Sequence, residues 1–170
     1  MLWLRAETKS FERRTPLTPQ DAKTLIESGV EICVEKSNQR IFSDEDYLSV
    51  GCDLVEAGTW PNAPLDAYIL GLKELPLEDH PLIHHHIYFA HAYKGQTEAK
   101  ALLKRFKEGG GRIYDLEFLL DDQGRRVSAF GHWAGFVGAA LSIDFFYHQQ
   151  LEEGDYPPLK HYPQQEELIQ

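Results

Sequence analysis

The chain has 170 residues, 42% of them apolar and 26% charged, which is the composition of a globular domain with its own core and not of a disordered segment. A net charge of -10 argues against nucleic acid or an anionic membrane surface as the main partner. Two cysteines, Cys33 and Cys52, are too few for a disulfide framework, and Met1 runs straight into Leu-Trp-Leu-Arg with no long apolar leader, so reduced thiols and a cytoplasmic location are the default expectation.

Leu2 to Leu4 reads as a first strand, followed by a charged loop from Arg5 to Arg14. Thr18-Pro19 opens a helix, with Thr18 as N-cap, Pro19 at the first helical position and Asp21 in the first turn, where an acid suits the helix dipole. Ala22, Leu25 and Ile26 form its core stripe and Gly29 ends it. Val30 to Val34 is the next strand. Ser43 caps a short helix through Tyr47 that stops at Gly51, and Asp53 to Val55 is a short strand.

Two apolar runs then end in residues that can carry a proton. Ala67 to Leu72 leads into Lys73-Glu74, and Ile87 to Ala90 leads into His91, Tyr93 and Lys94. Short apolar runs bounded by proline and polar turns are the pattern of core strands in a parallel α/β sheet. Ligands of such sheets bind outside the carboxyl ends of the strands. Lys73 and His91 are therefore expected to face one crevice, a pair suited to chemistry on an amine and a carbonyl.

Ala99, Leu102, Leu103 and Phe106 set a helix over Gln96 to Lys107, which Gly109-Gly110-Gly111 stops. Arg112 to Asp115 is a strand. Leu116 to Leu120 and Arg125 to Ala129, around Asp121-Gly124, read as a hairpin. Gly131 to Leu151 reads as one long helix, apolar nearly all round through Trp133, Phe136, Val137, Leu141, Ile143, Phe145 and Phe146. His132, Ser142, Asp144 and His148 interrupt it too often for a membrane span. The fold expected is α/β: a Rossmann-like or flavodoxin-like three-layer domain with a mostly parallel sheet, plus a hairpin and a long apolar C-terminal helix. The expected divisions are an α/β substrate domain over 1–130, the helix over 131–151 and a polar tail over 152–170. Little remains to cover the second face of the helix, so a second copy of the chain or another domain is expected to pack there.

No nucleotide-binding fingerprint is present. Gly109-Gly110-Gly111 precedes a strand instead of following one, and Gly131, Gly135 and Gly138 lie inside a helix, where close packing is the simpler reason for them. No metal site is expected either. His84 and His86 share one strand face and His85 the other, without further ligands at suitable spacing, so solvated or hydrogen-bonded histidines are the plainer reading. Lys9, Arg13, Arg14, Lys73, Lys94, Arg125 and Arg126 all fall in loops or at strand ends, and arginines there suit carboxylates. Glu74 and Glu117 balance that charge and are expected to tune the lysine and the histidine.

Several of these segments carry a resemblance: L-R-A-E-T-K (4–9), E-R-R-x-x-L-T-P (12–19), G-L-K-E-L-P (71–76), F-A-H-A-Y-K (89–94), Y-D-L-E-F (114–118), D-Q-G-R-R-V (122–127) and F-G-x-x-A-G-F-x-G-A-A (130–140). Together they resemble the NAD-dependent, lysine-forming saccharopine dehydrogenase family. The wider alanine dehydrogenase and transhydrogenase superfamily shares only the E-x-R-x-x-L-T-P and Lys/His pieces. The resemblance implies two Rossmann-like domains with the active site between them, NAD as cofactor, and oxidation of saccharopine to lysine and 2-oxoglutarate. It implies Lys73 as the base for the secondary amine and His91 as the acid-base of imine hydration and carbinolamine collapse. Glu74 and Glu117 match the acids that tune them. Arg14 and Arg126 match carboxylate binders, with Arg125, Lys94 and Lys9 nearby. The family's NAD-binding domain has no counterpart in this sequence, so hydride transfer is expected to need that domain or a second chain. The competing expectations are an alanine-dehydrogenase-like amino-acid oxidoreductase and a stand-alone carboxylate-binding domain that is not an enzyme.

Overall fold

In a computed structural model, residues 1–151 and 154–159 are described. The chain falls into two compact units, residues 1–118 and residues 119–170.

The first unit is built on six strands: β1 (Leu2–Leu4), β2 (Ile32–Glu35), β3 (Asp53–Val55), β4 (Tyr68–Leu70), β5 (His85–Tyr88) and β6 (Arg112–Asp115). They lie in the order β3-β2-β1-β4-β5-β6, and all five neighbouring pairs are parallel. The chain winds outward from β1 through β2 to β3, returns to β4 on the other side of β1, and winds outward again. The winding direction therefore reverses between β1 and β4, and a crevice forms at such a reversal, outside the carboxyl ends of the strands.

Side chains alternate across the sheet and build two cores. Leu4, Ile32, Val34 and Leu70 pack with Ala22, Leu25 and Ile26 of helix α1 (Pro19–Glu27) and Tyr47 of α2 (Asp44–Ser49). Trp3, Cys33, Ile69 and Tyr88 pack on the opposite side with Trp60 and with Leu102, Leu103 and Phe106 of α3 (Ala99–Gly109). The unit is thus the three-layer α/β arrangement expected, with a sheet that is wholly parallel instead of mostly so.

Local chemistry sets several boundaries. The Thr18 side chain accepts from the Asp21 backbone N–H at 3.1 Å, and Ser43 and Asp46 form a reciprocal capping box on α2. Helix α3 ends at Gly110, which has φ of 78°. Flanking it, a Cβ at Gly109 or Gly111 would overlap the backbone of Leu82 or His84. The triple glycine therefore stops the helix and also lets its end lie against the chain entering β5.

Three expectations change. Strand β5 begins at His85, two residues before the expected start, so Phe89 to Ala92 already lie beyond it. Of the two alternatives for the histidines, solvated or hydrogen-bonded, the first falls away and the second holds for His84: His84 and His86 are core residues, each 1% exposed. His84 Nε2 lies 3.0 Å from the Ala63 carbonyl oxygen, while neither ring nitrogen of His86 has a hydrogen-bond partner among the described residues. The expected hairpin shrinks to one antiparallel bridge, Leu120 with Arg126, because Leu116–Phe118 turns into a single 3-10 turn.

In the second unit, α4 runs over Gly131–Leu151, as its sequence pattern indicates, and carries no buried side chain. Among the described residues nothing lies within 4 Å of where a Cβ would stand at Gly131, Gly135 or Gly138, so the packing expected of these glycines is not made by them. No helix among the described residues is long and apolar enough to cross a membrane. The expected polar tail over 152–170 lies mostly outside the described residues.

Candidate active site

The site begins with the chain leaving β1. Arg5 is 3% exposed and donates to the Lys73 carbonyl oxygen, while its other end pairs with Glu7 at 3.5 Å. The Glu7 carboxylate accepts from the backbone N–H groups of Leu72 at 2.7 Å and Lys73 at 3.0 Å. Gly71 is needed because a Cβ there would overlap the Arg5 guanidinium. An arginine and a glutamate two positions apart after β1 therefore hold the backbone of the segment that follows β4. That is how Lys73 is positioned. Glu35 anchors the neighbouring loops: its buried carboxylate accepts from Trp3 Nε1 and from the N–H groups of Ala6, Gly58 and Trp60.

Each proton-carrying residue has a carboxylate of its own. Lys73 Nζ lies 3.7 Å from Glu12 Oε2. Glu12 is 8% exposed and is also gripped by Arg14, through Nε at 2.7 Å and Nη2 at 2.5 Å. The Arg14 hydrogen bond holds the Glu12 carboxyl below its usual range against the opposing effect of burial, and the Lys73 charge adds to it. His91 Nδ1 lies 2.8 Å from Glu74 Oε1, and Lys9 Nζ lies 3.9 Å from Glu74 Oε2. Burial pushes the Glu74 carboxyl up, but its backbone hydrogen bond, the His91 ring and the Lys9 charge together hold it below the usual value.

His91 is backbone-strained, with φ of 49°. A bulky residue in the left-handed region costs about 1–3 kcal/mol and persists where its surroundings over-determine it. His91, Glu74 and Lys9 line a cavity of about 590 Å³ between the segment after β4 and α3. Lys73 is not in that lining. The lysine and histidine thus follow adjacent strands at one edge of the sheet, on separate carboxylates.

The remaining expected residues fall as follows. Lys94 Nζ pairs with Glu117 at 2.5 Å, so Glu117 neighbours that lysine. Arg125 and Arg126 belong to the second unit, where Arg125 Nε donates to Asp121 at 3.0 Å and Arg126 Nη2 to the Ser128 carbonyl at 3.4 Å. Arg5, Glu7 and Glu12 went unassigned at the level of sequence. The available signal was a pair of acids, Glu7 and Glu12, inside an otherwise cationic loop. No group of three or more metal-ligating side chains is found among the described residues. The β1–α1 connection, which in a dinucleotide-binding fold is a short glycine turn, here carries Arg5, Glu7, Glu12 and Arg14 and does not fit a pyrophosphate.

Residues 3–137 match the model of the family described as alanine dehydrogenase/PNT, N-terminal domain. The chain belongs to that family. Among curated relatives, a Schizosaccharomyces pombe protein is 49% identical over 99% of this chain. An Emericella nidulans protein is 53% identical, also over 99% of it. Both are named as NAD-dependent, L-lysine-forming saccharopine dehydrogenases, and the chain spans 46% of the length of each. A solved L-alanine dehydrogenase superposes with a TM-score of 0.57 and 18% identity, over 74% of this chain and 35% of that one. At that identity the likeness speaks to the alanine dehydrogenase/PNT N-terminal fold alone.

Proposed function

We propose that this domain supplies the substrate-binding and proton-transfer half of an L-lysine-forming saccharopine dehydrogenase, and that NAD is held by residues outside these 170. The observation that carries the reading is the pairing at the ends of β4 and β5, Lys73 with Glu12 and His91 with Glu74. The names of the half-identical relatives support it.

Oxidation of a secondary amine needs that nitrogen unprotonated when hydride leaves the adjacent carbon. Lys73 takes the proton, with Glu12 beside it to balance the ammonium that forms. NAD, when bound, accepts the hydride. His91 then delivers and removes the protons of water addition to the imine and of carbinolamine collapse, and the Glu74 carboxylate stabilises its imidazolium. Arg14 offers a guanidinium beside Lys73 for a substrate carboxylate, and Arg126, Arg125, Lys94 and Lys9 are further candidates for the same task. The long helix α4, with no side chain buried within the chain, is the surface for an NAD-binding partner or a second copy.

The test joins this chain to the remainder of a relative's sequence and follows NADH oxidation with lysine and 2-oxoglutarate. Lys73→Met and His91→Gln should each lower kcat by about 10²–10⁴-fold, the usual contribution of a positioned acid-base group. Turnover with pyruvate and ammonia in place of those substrates would instead support an alanine-dehydrogenase-like reaction. Full activity in both variants would remove the proposal.

A further inference from the structure

Phe11 sits where neither its backbone nor its ring is well served by the rest of the first unit. Lys9 to Glu12 is a four-residue turn in the β1–α1 connection, closed by the Glu12 N–H, which donates to the Lys9 carbonyl oxygen at 3.2 Å. Phe11 is its third residue and is held at φ of 65°. That position suits glycine or asparagine, and a bulky side chain there is a backbone outlier. The ring is also 93% exposed. A lone exposed apolar side chain is ordinary, and so is a strained residue that its contacts over-determine. Here the strain falls on a ring with almost no contacts, so packing among the described residues does not offset it.

The turn has a fixed base. Gln39 Nε2 donates to the carbonyl oxygens of Glu7 at 2.7 Å and Lys9 at 3.4 Å, and the Ile41 N–H donates to that of Arg13 at 2.8 Å. The turn also reaches both acid-base pairs, Lys9 through Glu74 to His91 and Glu12 directly to Lys73. Phe11 is therefore presented from a rigid mount at the carboxyl edge of the sheet, beside the proton carriers. A hydride acceptor has to approach Lys73 and His91 from beyond that edge, and the function proposed above places it on residues outside these 170. We infer that Phe11 is a closing latch: when the NAD-holding part of the enzyme closes on the site, the ring seats in an apolar hollow of that part, and its burial then offsets the strain of the turn. Lys9 within the turn and Arg14 just after it have side chains more than half exposed, so a hollow rimmed by carboxylates is the complementary surface. This rests on the function proposed above and adds the contact through which the two parts meet.

Phe11→Cys gives a readout that needs no turnover, because Cys33 and Cys52 are buried and alkylation of the peptide containing position 11 can be followed by mass spectrometry. The introduced thiol should react freely in the 170-residue chain, and neither NADH nor 2-oxoglutarate should slow it there. In the enzyme made by joining this chain to the remainder of a relative, NADH with 2-oxoglutarate should slow it at least about tenfold, the closed state then being the dominant one. Phe11→Gly suits the positive φ, so the 170-residue chain should melt no lower, yet kcat/KM of the joined enzyme should fall about tenfold or more for want of the buried ring. Phe11→Leu, which keeps an apolar side chain, should retain most of that activity. A thiol that reacts equally fast in the joined enzyme with and without ligands overturns the latch, as does an unchanged kcat/KM in Phe11→Gly. Slowing by either ligand in the 170-residue chain would put the ring against the ligand, and full protection of the joined enzyme before any ligand is added would make it a fixed interface; both outcomes also overturn the latch. A joined enzyme without turnover would instead remove the proposed function, while alkylation, which reads closure and not chemistry, still decides the latch.

Discussion

Replacing His86 with phenylalanine should make the fold less sensitive to acid. The His86 ring lies beneath α3, 1% exposed, edge-on to Trp60 at 5.1 Å and to Phe106 at 5.3 Å. Among the described residues neither ring nitrogen has a hydrogen-bond partner. Burial, with the charges of Arg5, His84 and Arg105 adding to it, pushes its pKa from the ordinary 6.5 down to about 3. The folded chain therefore keeps His86 neutral, while the unfolded chain protonates it below about pH 6.5. Between those limits the unfolded state binds the extra proton, so stability rises with pH through this window. It is complete above pH 6.5 and lost as pH falls.

The slope for one proton is about 1.4 kcal/mol per pH unit, so about 2 kcal/mol disappears between pH 6.5 and pH 5 on account of this ring alone. Phenylalanine has a similar shape, does not titrate, and removes two unpaired buried polar atoms whose desolvation costs about 1–3 kcal/mol. Urea unfolding of both proteins at pH 8 and pH 5 isolates the effect, because every other titrating group is common to the two. The loss of unfolding free energy on acidification should be about 2 kcal/mol smaller in His86→Phe. Equal losses would show that the ring is hydrated or paired, and the argument would fail.

Glu12 acts in a more acid window. Its folded pKa lies below 4.5 because of Arg14, so its contribution is present above that value and lost as pH falls through the folded pKa; thermal melts near pH 4.5 and pH 3 should show Glu12→Gln losing less on acidification than the parent. His91→Gly should melt no lower than the parent, since relief of the positive φ by about 1 kcal/mol offsets an exposed bond to Glu74 worth about 1 kcal/mol or less, although the joined enzyme loses activity. A fall of many degrees would mean that the His91 ring is structural. Gly111→Ala should cost about 1–3 kcal/mol by chemical denaturation, because the backbone of His84 occupies the space of the new methyl. Gly135→Ala, at an open position inside α4, should instead be neutral or stabilising by up to about 1 kcal/mol.

The start of α1 and of α2 and the stop of α3 at the triple glycine were legible because their causes are local, while the starts of β2, β5 and α3 fell two or three residues from where the pattern put them. Thr18 and Ser43 supply an oxygen to backbone N–H groups three residues on, Gly110 admits a left-handed residue, and apolar runs of three to four residues bury on both faces of a parallel sheet. Glu117 illustrates the limit. Its position after β6 was readable, but its partner, Lys94, follows a different strand, and only strand order brings the two within 2.5 Å. The β5 register shows the same limit from another side. The sequence leaves His84 and His86 either solvated or hydrogen-bonded, and only tertiary packing makes both of them core.

The sequence by itself determined the local states of the backbone, the residue types gathered at the strand ends and the parallel α/β class. These depend on interactions within a turn or two of chain. Tertiary structure decided which acid meets which cation, Glu12 with Lys73 and Glu74 with His91. It also decided that Arg5 and Glu7 serve the backbone of a segment more than sixty residues away. Pairing across such separations follows from the order in which strands add to the sheet, and local propensity carries no record of that order.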